Sequence, residues 1–135
     1  IEASAGRDGK ARCGLETLDF QLGMLDGMPA DLQEKLLMQS LEEAGEVDEV
    51  IRPLLAAWRA GDERSLLQSL EDDFEGYPEL AEQLIFARNE RWAGLVSDML
   101  EESDDILLVV GALHLVGDRG LPALLQERGF KVRRH

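Results

Sequence analysis

One apolar run constrains this chain more than any other feature: Ile106-Leu107-Leu108-Val109-Val110, closed by Gly111. Such a run, rich in β-branched residues and without polar alternation, fits a strand buried on both faces, as in a parallel sheet. It is far short of the roughly 20 residues that cross a bilayer. After it come Gly111 to His114, a loop, a helical stretch from about Arg119 to Arg128, Gly129 as its stop, and a segment Phe130 to Arg133 that reads as a last strand. Strand, helix and strand in about 30 residues is the size of a βαβ unit. Ala11 to Glu16 reads as another short strand. The expected fold class is therefore α/β: helix-rich, with a small, mostly parallel sheet of about three strands.

The middle of the chain reads as helix. Asp31 and Glu34 have capping-box-like spacing, and Leu32, Leu36, Leu37 and Leu41 follow at helical period up to Gly45. Val47, Val50, Ile51, Leu54, Leu55 and Trp58 continue the pattern, with Pro53 expected to kink or split it near Arg52. Asp62 is placed to cap a short helix carrying Leu66, Leu67 and Leu70. A stripe from Leu80 to Met99 spans about residues 79 to 102. The expected organisation is one domain, with residues 1–16 ending in a strand, residues 17–102 helical, and residues 103–135 forming the strand–helix–strand unit.

Charge narrows the partners. The net charge is −14, and residues 17–87 hold 17 acids against four bases. A phosphate groove or an anionic membrane would be repelled, so no nucleic-acid partner is expected. Aromatics at 5% argue against base-stacking platforms. With one cysteine, Cys13, neither an internal disulfide nor a cysteine-based metal cluster is available, and its place in a strand predicts a buried, inert thiol. Two or three parallel strands make a poor sheet alone. The chain also opens Ile-Glu-Ala-Ser-Ala, without Met or a signal segment. Both features lead to the expectation of the C-terminal portion of a larger domain. They also suggest self-association, most simply as a dimer, to cover an open sheet edge.

Three residues stand out for chemistry. His114 lies just past the end of the apolar run, and ligand sites in open α/β sheets gather at the carboxyl ends of strands. An imidazole there can bind metal or move a proton, and Gly111 lets the backbone turn. Glu16 ends the first strand, so parallel neighbours would bring it to the same rim. A carboxylate with an imidazole serves as a metal-ligand pair or an acid–base pair; the plainer role is a cap for the helix starting near Leu18. Arg88 sits in an otherwise apolar helical stripe with Leu84, Ile85, Trp92, Leu95 and Met99. A guanidinium there is costly unless a carboxylate such as Glu16, or a bound anion, meets it, or unless it snorkels to the surface. Asn89 could orient a ligand or be exposed, and Trp92 reads as core. Gly117-Asp118-Arg119-Gly120 lacks the Gly-Lys-Ser/Thr of a phosphate loop. His135 is terminal and reads as a tag remnant.

These residues resemble a known pattern. Gly14-Leu15-Glu16-Thr17 with Gln21-Leu22, Ala87-Arg88-Asn89-Glu90-Arg91-Trp92, and Val109 to Gly117 with Gly120-Leu121, Leu124-Leu125 and Gly129-Phe130 are similar, in order and spacing, to the TraB/GumN family. The resemblance implies kinship with Tiki proteases and with the erythromycin-esterase/ChaN-like α/β folds, and thus hydrolytic chemistry that is metal-dependent or based on His and Glu. It implies that Glu16, Arg88 and the Gly111–His114 motif are the family's site residues; with the residue reading, Glu16, Arg88 and His114 are the expected catalytic residues, Glu16 and His114 the expected ligands of a divalent metal, and Asn89 and Gly111 the expected substrate-contacting positions. The family pattern has two Gly-x-x-His motifs. This chain has the second, Gly111 to His114, and without the first it is expected to be inactive alone. The resemblance also implies a bacterial periplasmic or cell-envelope location.

The leading expectation is thus part of a metal-dependent hydrolase, a peptidase acting on a peptide or small-molecule substrate. The alternatives are a non-catalytic binding or regulatory module using the same pocket, and a protein-interaction surface on the acidic helices around Glu42, Glu43, Glu46 and Asp48.

Overall fold

The computed structural model describes residues 1–45, 47–102 and 105–134, with Glu42 and Glu43 described by their backbone only. Helices follow one another along the whole chain: α1 (Glu2–Arg7), α2 (Leu18–Asp26), α3 (Ala30–Ala44), α4 (Val47–Ala60), α5 (Glu63–Asp73) and α6 (Pro78–Ala81). A π-helical turn (Glu82–Phe86) then runs into α7 (Ala87–Glu102), and a 3-10 turn (Ala112–Leu115) precedes α8 (Leu121–Glu127).

Local chemistry sets several of these boundaries. Asp62 caps α5, its Oδ1 accepting the Ser65 N–H at 3.1 Å. Pro78 opens α6, where a missing N–H costs nothing. Pro53, expected to break its helix, lies inside α4, which runs through it. The proline's unmet carbonyl partner is tolerable because this side of α4 is exposed to water.

The expected α/β fold is overturned, because no strand forms among the described residues and the chain is all-helical. Residues 11–16, 106–110 and 130–133 are irregular or bent. A strand is stabilised by lateral pairing, and none of these segments lies in a ladder with another. The apolar run is not buried on both faces either. Leu108 and Val110 pack against Trp92, Ala93 and Leu121, while Leu107 and Val109 are 77% and 62% exposed. Continuous hydrophobicity here reflects one packed side of an extended segment, not a sheet interior. Cys13, expected to be buried in a strand, is exposed.

Three apolar clusters hold the helices. Met28, Leu32 and Leu80 join α3 to α6. Ala57, Leu66, Leu70, Ile85 and Val116 join α4 and α5 to the π turn and the 3-10 region. Trp92, Ala93 and Leu121 join α7 to α8, with Leu15, Leu108 and Val110 packed on them. This last cluster positions the site, because it anchors three separated stretches of chain on one face of α7. No helix among the described residues is long and apolar enough to cross a membrane.

Candidate functional site

The segment before α2 delivers Glu16. Thr17 takes the capping role, its Oγ1 accepting the Phe20 N–H at 3.1 Å. Glu16 is therefore free to turn toward α7. Gly14 makes the approach possible, since a Cβ there would stand 2.9 Å from the Glu16 carbonyl oxygen.

On α7 the residues Arg88, Arg91 and Trp92 are spaced i, i+3 and i+4, so one helical turn presents all three to the same point. That point is the Glu16 carboxylate, whose side chain is 2% exposed. Arg88 Nε donates to both oxygens at 3.1 and 3.2 Å, and its Nη2 donates to Oε2 at 2.9 Å. Trp92 Nε1 donates to Oε1 at 3.0 Å and Gln21 Nε2 to Oε2 at 3.1 Å. Arg91 adds an ion pair to Oε1. Its guanidinium also stacks on Phe20, 3.5 Å from the ring centroid. Burial by itself raises the Glu16 carboxyl. Hydrogen bonds from Arg88 and Gln21, the Arg88 charge and the Trp92 indole outweigh it, and the carboxyl is held below its ordinary range. Arg88, expected to need a carboxylate, has found Glu16.

His114 packs on Trp92 as well, with ring centroids 4.5 Å apart. It is 8% exposed. Its Nδ1 is 2.7 Å from Asn89 Oδ1, while Asn89 Nδ2 donates to the Arg119 carbonyl at 2.8 Å. An amide that donates through nitrogen accepts through oxygen, so Nδ1 carries the proton and Nε2 keeps its lone pair. Desolvation, then the Arg88 charge, lower the imidazole to about 4 against a smaller opposite pull from Glu16. The ring is neutral at physiological pH.

Asn89 is completely buried and turned to His114 and Arg119. Both ends of its amide are thus engaged within the protein. The turn before α8 brings it its partner. Gly120 there admits no side chain, since a Cβ would lie 2.6 Å from the Val116 carbonyl oxygen. The Gly117–Gly120 turn thus presents the Arg119 carbonyl, while the Arg119 guanidinium pairs with Glu82 at 2.6 Å and Glu90 at 2.8 Å. Gly111 is exposed with φ −62°, a conformation open to any residue, so the expected sharp glycine turn is not there. Its carbonyl accepts the His114 N–H at 3.0 Å.

The sequence reading missed Arg91 and Gln21 as partners of Glu16. The i, i+3, i+4 spacing on α7 and the i+5 position of Gln21 carried that signal. Of the acidic positions singled out for a partner surface, Glu46 and the side chains of Glu42 and Glu43 lie outside the described residues, as does His135. Asp48 is exposed, 3.4 Å from Arg52.

The donor set can be tested against a divalent metal held by Glu16 and His114. Both Glu16 oxygens already accept from cationic or N–H donors, and two guanidiniums stand where a cation would approach. The carboxylate as packed does not fit a metal ligand. His114 Nε2 would fit one, but no group of three or more metal-ligating side chains assembles among the described residues.

The site is therefore a buried carboxylate clamped by arginines, joined through a tryptophan to a neutral, oriented histidine, in a helical chain. The chain belongs to the TraB/PrgY/gumN family, whose model matches residues 1–134. No curated protein and no solved structure matches it.

Proposed function

We propose that this chain contributes the proton-handling and anion-steadying part of a hydrolytic site acting on a peptide or another acyl compound. His114 is the proton-handling group. Arg88 steadies negative charge developing on the attacked carbonyl. Glu16, Trp92 and Asn89 are positioning residues. The supporting observation is the tautomer of His114: Asn89 fixes the proton on Nδ1, and Nε2 is left with a lone pair and no hydrogen-bond partner among the described residues. A general base needs that arrangement. Family membership supports the reading, because the chain's Gly111 to His114 motif is one on which the resemblance puts catalysis. No step is routed through a metal, since Glu16 as packed does not fit one.

The test is hydrolysis of peptide and ester libraries by the protein expressed from its complete reading frame, beside His114→Gln and Arg88→Lys. Turnover that falls by about 10²-fold or more in His114→Gln, with the urea midpoint kept, is the expected result. Equal turnover in all three proteins would refute the assignment.

A second reading is a non-catalytic module in which the same residues serve only as a clamp between α7 and the segment before α2. The saturated Glu16 carboxylate favours it. It predicts no turnover, and substitutions at His114 and Arg88 that change stability alone.

A further inference from the structure

A cleft of about 470 Å³ lies between α2, the π-helical turn and the start of α7, and neither Asn89 nor His114 lines it. It is a shallow groove, open to solvent along its length. Phe20 and Met24 give it an apolar wall, Arg88 and Gln83 donors, and Asp19 an acceptor. The donors are not spent. A guanidinium has five N–H groups. Arg88 uses Nε and one hydrogen of Nη2 on Glu16, and one of Nη1 on the Leu84 carbonyl at 2.9 Å. The second hydrogens of Nη1 and Nη2 have no partner among the described residues. The Leu84 carbonyl belongs to the π-helical turn, a local widening that recurs at functional sites. The Arg91 guanidinium stacks on Phe20. Gly23 also lines the cleft, and a Cβ there would meet nothing within 4 Å.

We propose that this cleft binds the C-terminal residue of a peptide with an apolar side chain: its carboxylate on Arg88, its backbone N–H toward Asp19, and its side chain against Phe20 and Met24. The occupant follows from complementarity. One cationic donor, one anionic acceptor and an apolar wall match the three groups of such a residue. An arginine with spare N–H groups matches a planar carboxylate in particular. A fatty carboxylate shares two of the three groups and lacks the N–H that Asp19 would accept. Binding here requires no hydrolysis; the cleft shares Arg88 with the proposed hydrolytic site but does not include His114.

Calorimetry with N-acetyl-leucine, N-acetyl-leucinamide and octanoate tests it. N-acetyl-leucine is expected to bind, at least roughly tenfold more tightly than the neutral amide, as a charge-assisted hydrogen bond implies. Binding should weaken as salt rises. Gly23→Leu should abolish it by filling open space, with an unchanged circular dichroism spectrum. Met24→Glu is a second route to the same loss, by placing like charge beside the carboxylate. His114→Gln should bind normally, which separates this site from the hydrolytic reading. No binding of N-acetyl-leucine, equal affinity for the amide, or undiminished binding in folded Gly23→Leu or Met24→Glu would overturn the proposal. Octanoate binding as tightly as N-acetyl-leucine would also overturn it, because Asp19 would then contribute nothing.

Discussion

Trp92 touches two polar groups that the chain has solved in opposite ways. One, Glu16, is charged and met by two guanidiniums, an indole N–H and an amide. The other, His114, is neutral and held by a single amide that is itself held by a carbonyl. Both are nearly removed from water. Burying a charge demands several partners, whereas burying an imidazole demands only that it give up its proton. The carboxylate end is thus locked electrostatically, and the histidine end is left with one free nitrogen. The difference is one of charge: the carboxylate is held by many donors, the imidazole by one amide.

The comparison breaks first at Glu16. Replacing it by Gln leaves Arg88 and Arg91 facing each other with no counter-charge. A loss of about 3–5 kcal/mol is expected on removing one partner of a buried ion pair, read from urea unfolding at neutral pH. A loss under about 1 kcal/mol would mean that the guanidiniums are well hydrated and that the clamp is not a clamp.

The histidine side should show itself through acid. A folded-state value of about 4 lies below the usual 6.5. The unfolded chain then takes up a proton where the native chain does not, so stability falls as pH drops from about 6.5 and levels off below about 4. Over the whole window the loss is roughly 3 kcal/mol, at 1.36 kcal/mol per pKa unit. Glu16 moves stability the same way at lower pH, since its depressed value gives stability that is lost as pH falls through it. Urea midpoints between pH 6.5 and 5, where carboxylates titrate little, isolate the histidine. The slope there should largely vanish in His114→Gln, and a slope equal to the wild type would assign the effect elsewhere.

What the sequence disclosed differs between the same two kinds of feature. What a side chain's own place on its helix demands was legible. The arginine in an apolar stripe demanded a carboxylate, and the one proposed for it, Glu16, is the one it meets from 72 residues away. Asp62 before its leucines read as a cap and is one. Strand pairing, which needs a neighbouring strand, was not legible. Ile106 to Val110 has strand composition, but composition does not supply a neighbour to pair with, and here the segment packs one side on Trp92 and leaves the other to water. For the same reason Glu16 and His114 reach one neighbourhood through the α7 face rather than through adjacent strands. The π-helical turn left no mark in the hydrophobic pattern either, since Leu80 to Met99 reads as one stripe whether or not a turn within it is widened. Asn89 was legible as polar beside Arg88, but its burial depends on a carbonyl 30 residues away, brought by a glycine turn.

The smallest effect sharpens the carboxylate side. Arg91 pairs with Glu16 as Arg88 does, yet its side chain is 37% exposed against 17%. Solvent screens the outer guanidinium, so Arg91→Ala should cost only about 0.5–1 kcal/mol as an ion pair, with a further contribution of about 0.5–1 kcal/mol from stacking on Phe20. A double-mutant cycle with Phe20→Leu, run at low and high salt, divides the two. The stacking part appears as coupling between the sites, and the ion-pair part as the salt-dependent remainder. If Arg91→Ala instead costs as much as Arg88→Ala, exposure does not rank the two arginines, and the clamp is a symmetric pair rather than an inner ligand with an outer guard.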